Sequence, residues 1–201
     1  MIKLNLLKLQ EKLGQWKKNI FTPQDLKLFF GARKRAINGF LSYNSKRNRI
    51  IKLKKKLYSF KINPLNPYLI ANLVYKPSYI SFETALSYYH VIPETVYSIT
   101  SATSQTSRNW TIKNIDYLYR KIKKSAYCGY SLKSIEGDLV LIATPEKALA
   151  DYCYFFFLGK IKEWNNRIDL KKINIQKTKK YLILFQNGKL IKFIKKYLIK
   201  I

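Results

Sequence analysis

Positive charge is spread unevenly along this chain, and the unevenness limits both where a core can pack and where a polyanion can be met. Residues 1–66 hold 17 Lys and Arg against 2 Asp and Glu, a net of +15. Residues 67–160 hold 10 against 7, a net of +3, and residues 161–201 hold 12 against 2, a net of +10. A total of +28 over 201 residues points to nucleic acid, an acidic protein or a membrane surface as partner. The chain favours Ile, Lys, Asn and Tyr, whose codons are AT-rich, so coding bias contributes to the excess. Such bias acts evenly along a chain, and this charge does not. Two basic ends therefore flank a balanced middle. With 47% hydrophobic and 15% aromatic residues, wholesale disorder is excluded. We expect two domains: 1–66, and 67–201 with an aromatic-rich core (67–160) and a basic helical tail (161–201).

The first 66 residues read as three helices and a hairpin. Ile2, Leu6, Leu9, Leu13 and Trp16 recur at helical spacing. Thr22 can cap a second helix that opens with Pro23, carries Asp25 in its first turn and ends at Gly31. A third helix is expected from Ala32 to about Lys46, with Ala36, Ile37, Phe40 and Leu41 facing inward. Arg33, Lys34, Asn38, Ser42 and Asn44 fall largely outside that stripe, and Arg35 at its margin. Asn48 suits a left-handed cap. Arg49–Leu53 and Leu57–Phe60 read as strands around a Lys54-Lys55-Lys56 tip. This is the pattern of a winged helix-turn-helix. In that fold the third helix enters the major groove, and lysines of the wing rest on flanking phosphates. The expected DNA-binding residues are Arg33, Lys34, Arg35, Asn38, Ser42, Asn44, Lys46, Lys52, Lys54, Lys55 and Lys56. The competing reading is an ordinary helical domain with a solvated charged face.

Several chemistries find no residues to carry them. Cys128 and Cys153 are the two cysteines and His90 the one histidine, which is too few for a structural zinc site. There is no nucleophile elbow, P-loop or dinucleotide fingerprint. Asp138 with Glu146 and Lys147 is the best approach to a nuclease-like set, but its acid and lysine are adjacent rather than two apart on a strand. We expect no enzyme, no metal and no cofactor. The longest apolar stretch, 152–158, is far short of the roughly 20 residues of a membrane span. Lysines interrupt the first leucines, so no signal peptide is expected, and a cytoplasmic protein with reduced thiols is.

The middle reads as α+β. Asn63-Pro64 and Asn66-Pro67 mark a boundary, and residues 68–75 a short helix. Ser81 should cap a helix with Glu83 in its first turn. Strands are expected at 96–100, 115–122 and 139–143, with 127–135 a weaker candidate and 101–109 a loop. Thr144, Pro145 and Glu146 open a further helix by cap, first-position proline and acidic first turn.

Residues 77–94 (PSYISFETALSYYHVIPE), followed by 96–101 (VYSITS), resemble the central block of the AbiEi family. Residues 142–152 (IATPEKALADY) resemble its second block, and 166–169 (NRID) a weaker third. The two long blocks are specific, and the resemblance extends over essentially the whole chain. The family comprises antitoxins of type IV toxin–antitoxin systems, associated with abortive phage infection. The resemblance implies a winged helix that represses its own operon and a C-terminal region that counteracts a nucleotidyltransferase-like toxin, directly or indirectly. Family members tend to carry glycine in the wing turn, where this chain has lysines. Ser81, Phe82, Glu83, Thr144, Pro145, Glu146, Lys147 and Asp151 belong to the matching blocks, and are expected to be mainly structural, since several sit where helix starts require them.

In the tail, 170–185 has a helical pattern, Asn187-Gly188 a turn, and Leu190, Ile191, Ile194, Tyr197, Leu198 and Ile201 form one stripe. That stripe can dock on the middle domain, bind the partner or lie on a membrane surface. The expected partners are operator DNA, an inverted repeat if two copies cooperate on it, and the toxin, with no membrane; the oligomeric state is left open. Two alternatives remain: a stand-alone winged-helix regulator, and an antitoxin that binds only protein.

Overall fold

A computed structural model describes residues 4–16, 18–61 and 65–198. Ile2, Asn63, Pro64 and Ile201, to which the sequence assigns roles, lie outside the described residues. The chain divides into two compact units, 1–65 and 66–201.

The first unit opens with α1 (Leu6–Gln15), which begins where the Asn5 side chain accepts from the Leu7 amide at 2.8 Å. A short strand β1 (Ile20–Phe21) leads to α2 (Pro23–Phe30). Thr22 and Asp25 cap that helix reciprocally, and Gly31 ends it in the left-handed conformation. Next come α3 (Lys34–Lys46) and the hairpin of β2 (Ile50–Lys54) and β3 (Leu57–Phe60). The sheet order is β1-β3-β2, antiparallel throughout. Leu9, Leu13, Phe21, Leu26, Phe30, Ile37, Leu41, Ile50 and Phe60 form the core. Every element therefore contributes to one apolar cluster, each such side chain stabilising by about 1.5–3 kcal/mol on burial.

The second unit is α+β. It holds α4 (Pro67–Val74), β4 (Ser78–Ile80), α5 (Phe82–Tyr88), β5 (Ile99–Thr103), β6 (Arg108–Ile112), β7 (Ile115–Lys121), β8 (Tyr130–Ile135), β9 (Asp138–Ala143) and α6 (Pro145–Phe157). After these come α7 (Ile175–Ile183) and α8 (Gly188–Leu198). The sheet order is β6-β7-β5-β4-β9-β8, with β4/β9 and β5/β7 parallel and the other pairs antiparallel. Thr84 of α5 hydrogen-bonds Thr100, while Ala71 of α4 accepts from the Tyr119 hydroxyl, whose strand partner is Ser101. Successive strand residues face opposite sides, so α4 and α5 cover opposite faces of the sheet.

Several expectations need correcting. The strand expected at 96–100 begins only at Ile99 and continues through the Ser/Thr run to Thr103, and 108–109, expected as the end of a loop, open β6. Gly188 starts α8 instead of making a turn, with Asn187 accepting from the Lys189 and Leu190 amides. The tail is part of the second unit: Leu190, Ile194 and Leu198 are buried, and Tyr197 packs edge-on against Phe156 at 5.0 Å. Of the three readings of its stripe, docking on the middle domain is the one observed. Among the described residues no helix is long and apolar enough to cross a membrane.

Candidate nucleic-acid interface and a buried ionic network

In α3 the inward positions are Ile37, Leu41 and Asn44, at i, i+4 and i+7. A period of 3.6 residues then directs Arg35, Gly39, Ser42 and Lys46 to the opposite side. All four are exposed, as are Arg33, Lys34 and Asn38. Arg35 is therefore central to the outward face, not marginal. Ala36 is exposed rather than inward, and Phe40 is half-buried. Asn44 does not face outward as expected. It is 3% exposed and its amide donates to the Phe40 carbonyl at 2.8 Å, so it cannot reach a base. Tyr43, absent from the sequence-based set, is 51% exposed, with the Arg47 guanidinium 4.5 Å from its ring centroid. The i, i+4 spacing of that aromatic–arginine pair was a readable signal.

The hairpin of the same unit is basic as well. Lys52 is exposed on β2, Lys54 is half-buried at its end, and Lys55 and Lys56 form the exposed turn. The first unit has two carboxylates against its 17 cations. Asp25 caps α2 and pairs with Lys18 at 3.7 Å, and Glu11 sits on α1. Two carboxylates among 17 cations leave the unit strongly positive.

Lys56 takes the left-handed conformation at φ 65, where an L-residue is disfavoured by roughly 1–2 kcal/mol. Lys56→Gly is expected to raise the stability of the first unit by about 0.5–1 kcal/mol, the entropy of glycine offsetting part of the gain. Urea denaturation followed by circular dichroism reads this directly. A lowered midpoint would mean that the lysine side chain itself holds the turn.

In the second unit the two sequence blocks meet in one buried network. Lys147 of α6 donates from Nζ to Asp151 Oδ1 at 2.5 Å, and both side chains are 0% exposed. Asp151 Oδ2 accepts from the Ser81 hydroxyl at 2.7 Å and the Tyr79 hydroxyl at 3.0 Å. Lys147 Nζ also lies 4.9 Å from the Phe185 ring centroid and 6.0 Å from that of Tyr181. Burial pushes the Asp151 carboxyl up, against the pull of Lys147, Ser81 and Tyr79 toward the charged form. Burial, and then the Asp151 charge, hold the Tyr79 hydroxyl well above its usual range, so it stays a donor. Gly129 (φ 74) makes room: a Cβ there would stand 2.7 Å from Tyr181 Cε1 and 3.0 Å from Lys147 Cγ.

Ser81 was expected to cap α5 with its side chain. It precedes the helix but makes no such bond, its hydroxyl being committed to Asp151. The buried Phe82 enters α5 at φ 54. The Arg120 guanidinium stands 4.9 Å from its ring centroid and pairs with Glu83 at 3.1 Å. At α6 the expected start is present: Thr144 accepts from the Lys147 amide and Pro145 occupies the first turn. Glu146 pairs with Lys177 at 3.3 Å. Burial pushes the Glu146 carboxyl up, yet its own amide, Thr144 and Lys177 together hold it below its ordinary value.

Asp138 does not join Glu146 and Lys147. It opens β9, whose far end leads into α6, and five residues of strand separate them by roughly 17 Å. Among the described residues no cluster of three His, Cys, Asp or Glu could hold a metal. Burial also pushes the Cys153 thiol far up, leaving it without the thiolate that reactivity needs.

No family model matches the sequence, and no curated protein matches it. Among solved structures, the crystal structure of the RV2827C protein from Mycobacterium tuberculosis matches at a TM-score of 0.49 and 12% identity, over 91% of this chain and 78% of that one. A likeness of this degree transfers no property from that protein to this chain.

Proposed function

We propose that the first unit is a winged helix-turn-helix that binds operator DNA, and that the chain is an autorepressing antitoxin of the AbiEi kind, counteracting a nucleotidyltransferase-like toxin. The observation that carries the DNA half is the outward stripe of α3 together with the lysine turn of the β2–β3 hairpin. Both belong to one unit, both are exposed, and the unit has almost no carboxylates to compete with phosphate. Long side chains such as Arg35 and Lys46 suit base edges or phosphates, and Ser42 and Asn38 can hydrogen-bond base edges. The antitoxin half rests on the sequence blocks at 77–101 and 142–152. In this reading the buried Lys147–Asp151 network shapes the unit that acts on the toxin without touching it.

A gel-shift with DNA from upstream of the chain's own coding region tests the proposal. Substituting Arg33, Lys34 and Asn38 together by Ala should abolish the shift yet leave neutralisation of a co-expressed toxin intact. Unchanged affinity would remove the start of α3 from the interface and leave its face, Arg35, Ser42 and Lys46, to be tested by their own substitution. A wild-type protein that retains no such fragment at physiological salt, yet neutralises toxin, would favour an antitoxin that binds only protein. The absence of a nucleotidyltransferase-like reading frame beside the gene would favour a stand-alone regulator.

A further inference from the structure

Gly39 has no reason to be glycine that folding supplies. It lies inside α3, is exposed and does not take the left-handed conformation. A Cβ added there would meet no heavy atom within 4 Å. Glycine in a helix interior costs stability relative to alanine, a cost that Gly14 of α1 shares; what sets Gly39 apart is its position on the basic outward face of α3. Its place is informative: Arg35, Gly39, Ser42 and Lys46 form the outward stripe, and Gly39 sits near its middle. Ser42, one turn away, carries a side chain too short to reach far.

We propose that Gly39 is where the edges of operator base pairs come closest to the α3 backbone, its missing side chain letting the helix rest on the floor of the major groove. This inference rests on the reading of the first unit as DNA-binding. A helix with side chains is about 10–12 Å across and the groove about 12 Å wide, so the helix fits with little spare width and side chains on its inner face set how deep it sits. At that depth the Ser42 hydroxyl reaches a base edge while Arg35 and Lys46 span to bases or phosphates on either side. A methyl group at position 39 would lift the helix and break the short contact first.

The test uses the full chain, duplex DNA from upstream of its own coding region, and a duplex of unrelated sequence. Gly39→Ala should raise the thermal midpoint by on the order of 2 °C and weaken upstream-DNA binding about tenfold, and Gly39→Leu more than a hundredfold. Affinity for the unrelated duplex should change less than about twofold, because phosphate contacts dominate there. Gly14→Ala is the matched control: this exposed glycine near the end of α1 also has open space around it, and its replacement should leave DNA affinity unchanged. Unchanged upstream affinity in Gly39→Leu overturns the inference, as does an equal loss on both duplexes or an equal loss in Gly14→Ala. A wild-type chain that binds neither duplex overturns the DNA reading itself, and this inference with it.

Discussion

Lys147→Ala is expected to destabilise the second unit by about 3–5 kcal/mol, because it leaves the Asp151 carboxylate buried without its cation. Against a typical total of about 5–15 kcal/mol, that is enough to unfold a large fraction of the protein at physiological temperature. The loss extends beyond one pair. Asp151 also accepts from Ser81 and Tyr79, so the network joins α6 to β4 and to the start of α5, while Lys147 packs under Tyr181 and Phe185. Asp151→Asn keeps an acceptor for Ser81 and Tyr79 but strands the ammonium, and should cost a similar amount. The double change Lys147→Met with Asp151→Leu should cost clearly less than the two single losses combined, since no buried charge remains. Urea unfolding gives these values, with a lowered midpoint and an unchanged slope. A Lys147→Ala loss below about 1 kcal/mol, the range of exposed pairs, would mean that water reaches the pair in solution.

On the DNA side, the Arg33, Lys34 and Asn38 triple substitution is expected to reduce upstream-DNA affinity by roughly a hundredfold or more, since it removes two cations and a base-edge partner. All three residues are exposed, and surface changes of this kind usually alter stability by no more than about 0.5 kcal/mol, so binding and folding effects separate cleanly. The geometry adds a ranking. Arg35 and Lys46 lie on the outward stripe, whereas Arg33 is the residue before α3 and Lys34 its first. Arg35→Ala with Lys46→Ala should therefore weaken binding more than Arg33→Ala with Lys34→Ala. The opposite order would mean that DNA meets the start of α3 rather than its face.

Elements with local chemistry were legible in the sequence. The Thr22–Asp25 box, the lysine-tipped hairpin and the Thr144-Pro145-Glu146 start need only neighbouring residues to specify them. The missed strands lacked such signals. β1 has two residues and β4 three, too short to show a period. β6 is a largely exposed edge strand, so alternation of apolar and polar residues never develops. Ser81 was misread because its partner, Asp151, lies 70 positions away, and a cap is the nearest local explanation for a serine before a helix. The Lys147–Asp151 spacing alone suggests a solvent-facing pair. What contradicts that is the company of Ala148, Leu149, Ala150 and Cys153, which is that of a helix buried on most sides. Asn44 was placed outward on its polarity, although its spacing from Ile37 and Leu41 already put it on the inner stripe.

The salt dependence of DNA binding by the intact protein tests the central claim most directly. If the exposed cations of α3 and the hairpin engage four or five phosphates, the logarithm of the association constant should fall against the logarithm of salt concentration with a slope of about −4. The slope should lose about 0.9 for each contacting lysine or arginine replaced. A slope near zero, or no retention of upstream DNA even at low salt, would contradict the assignment of the basic first unit to nucleic acid.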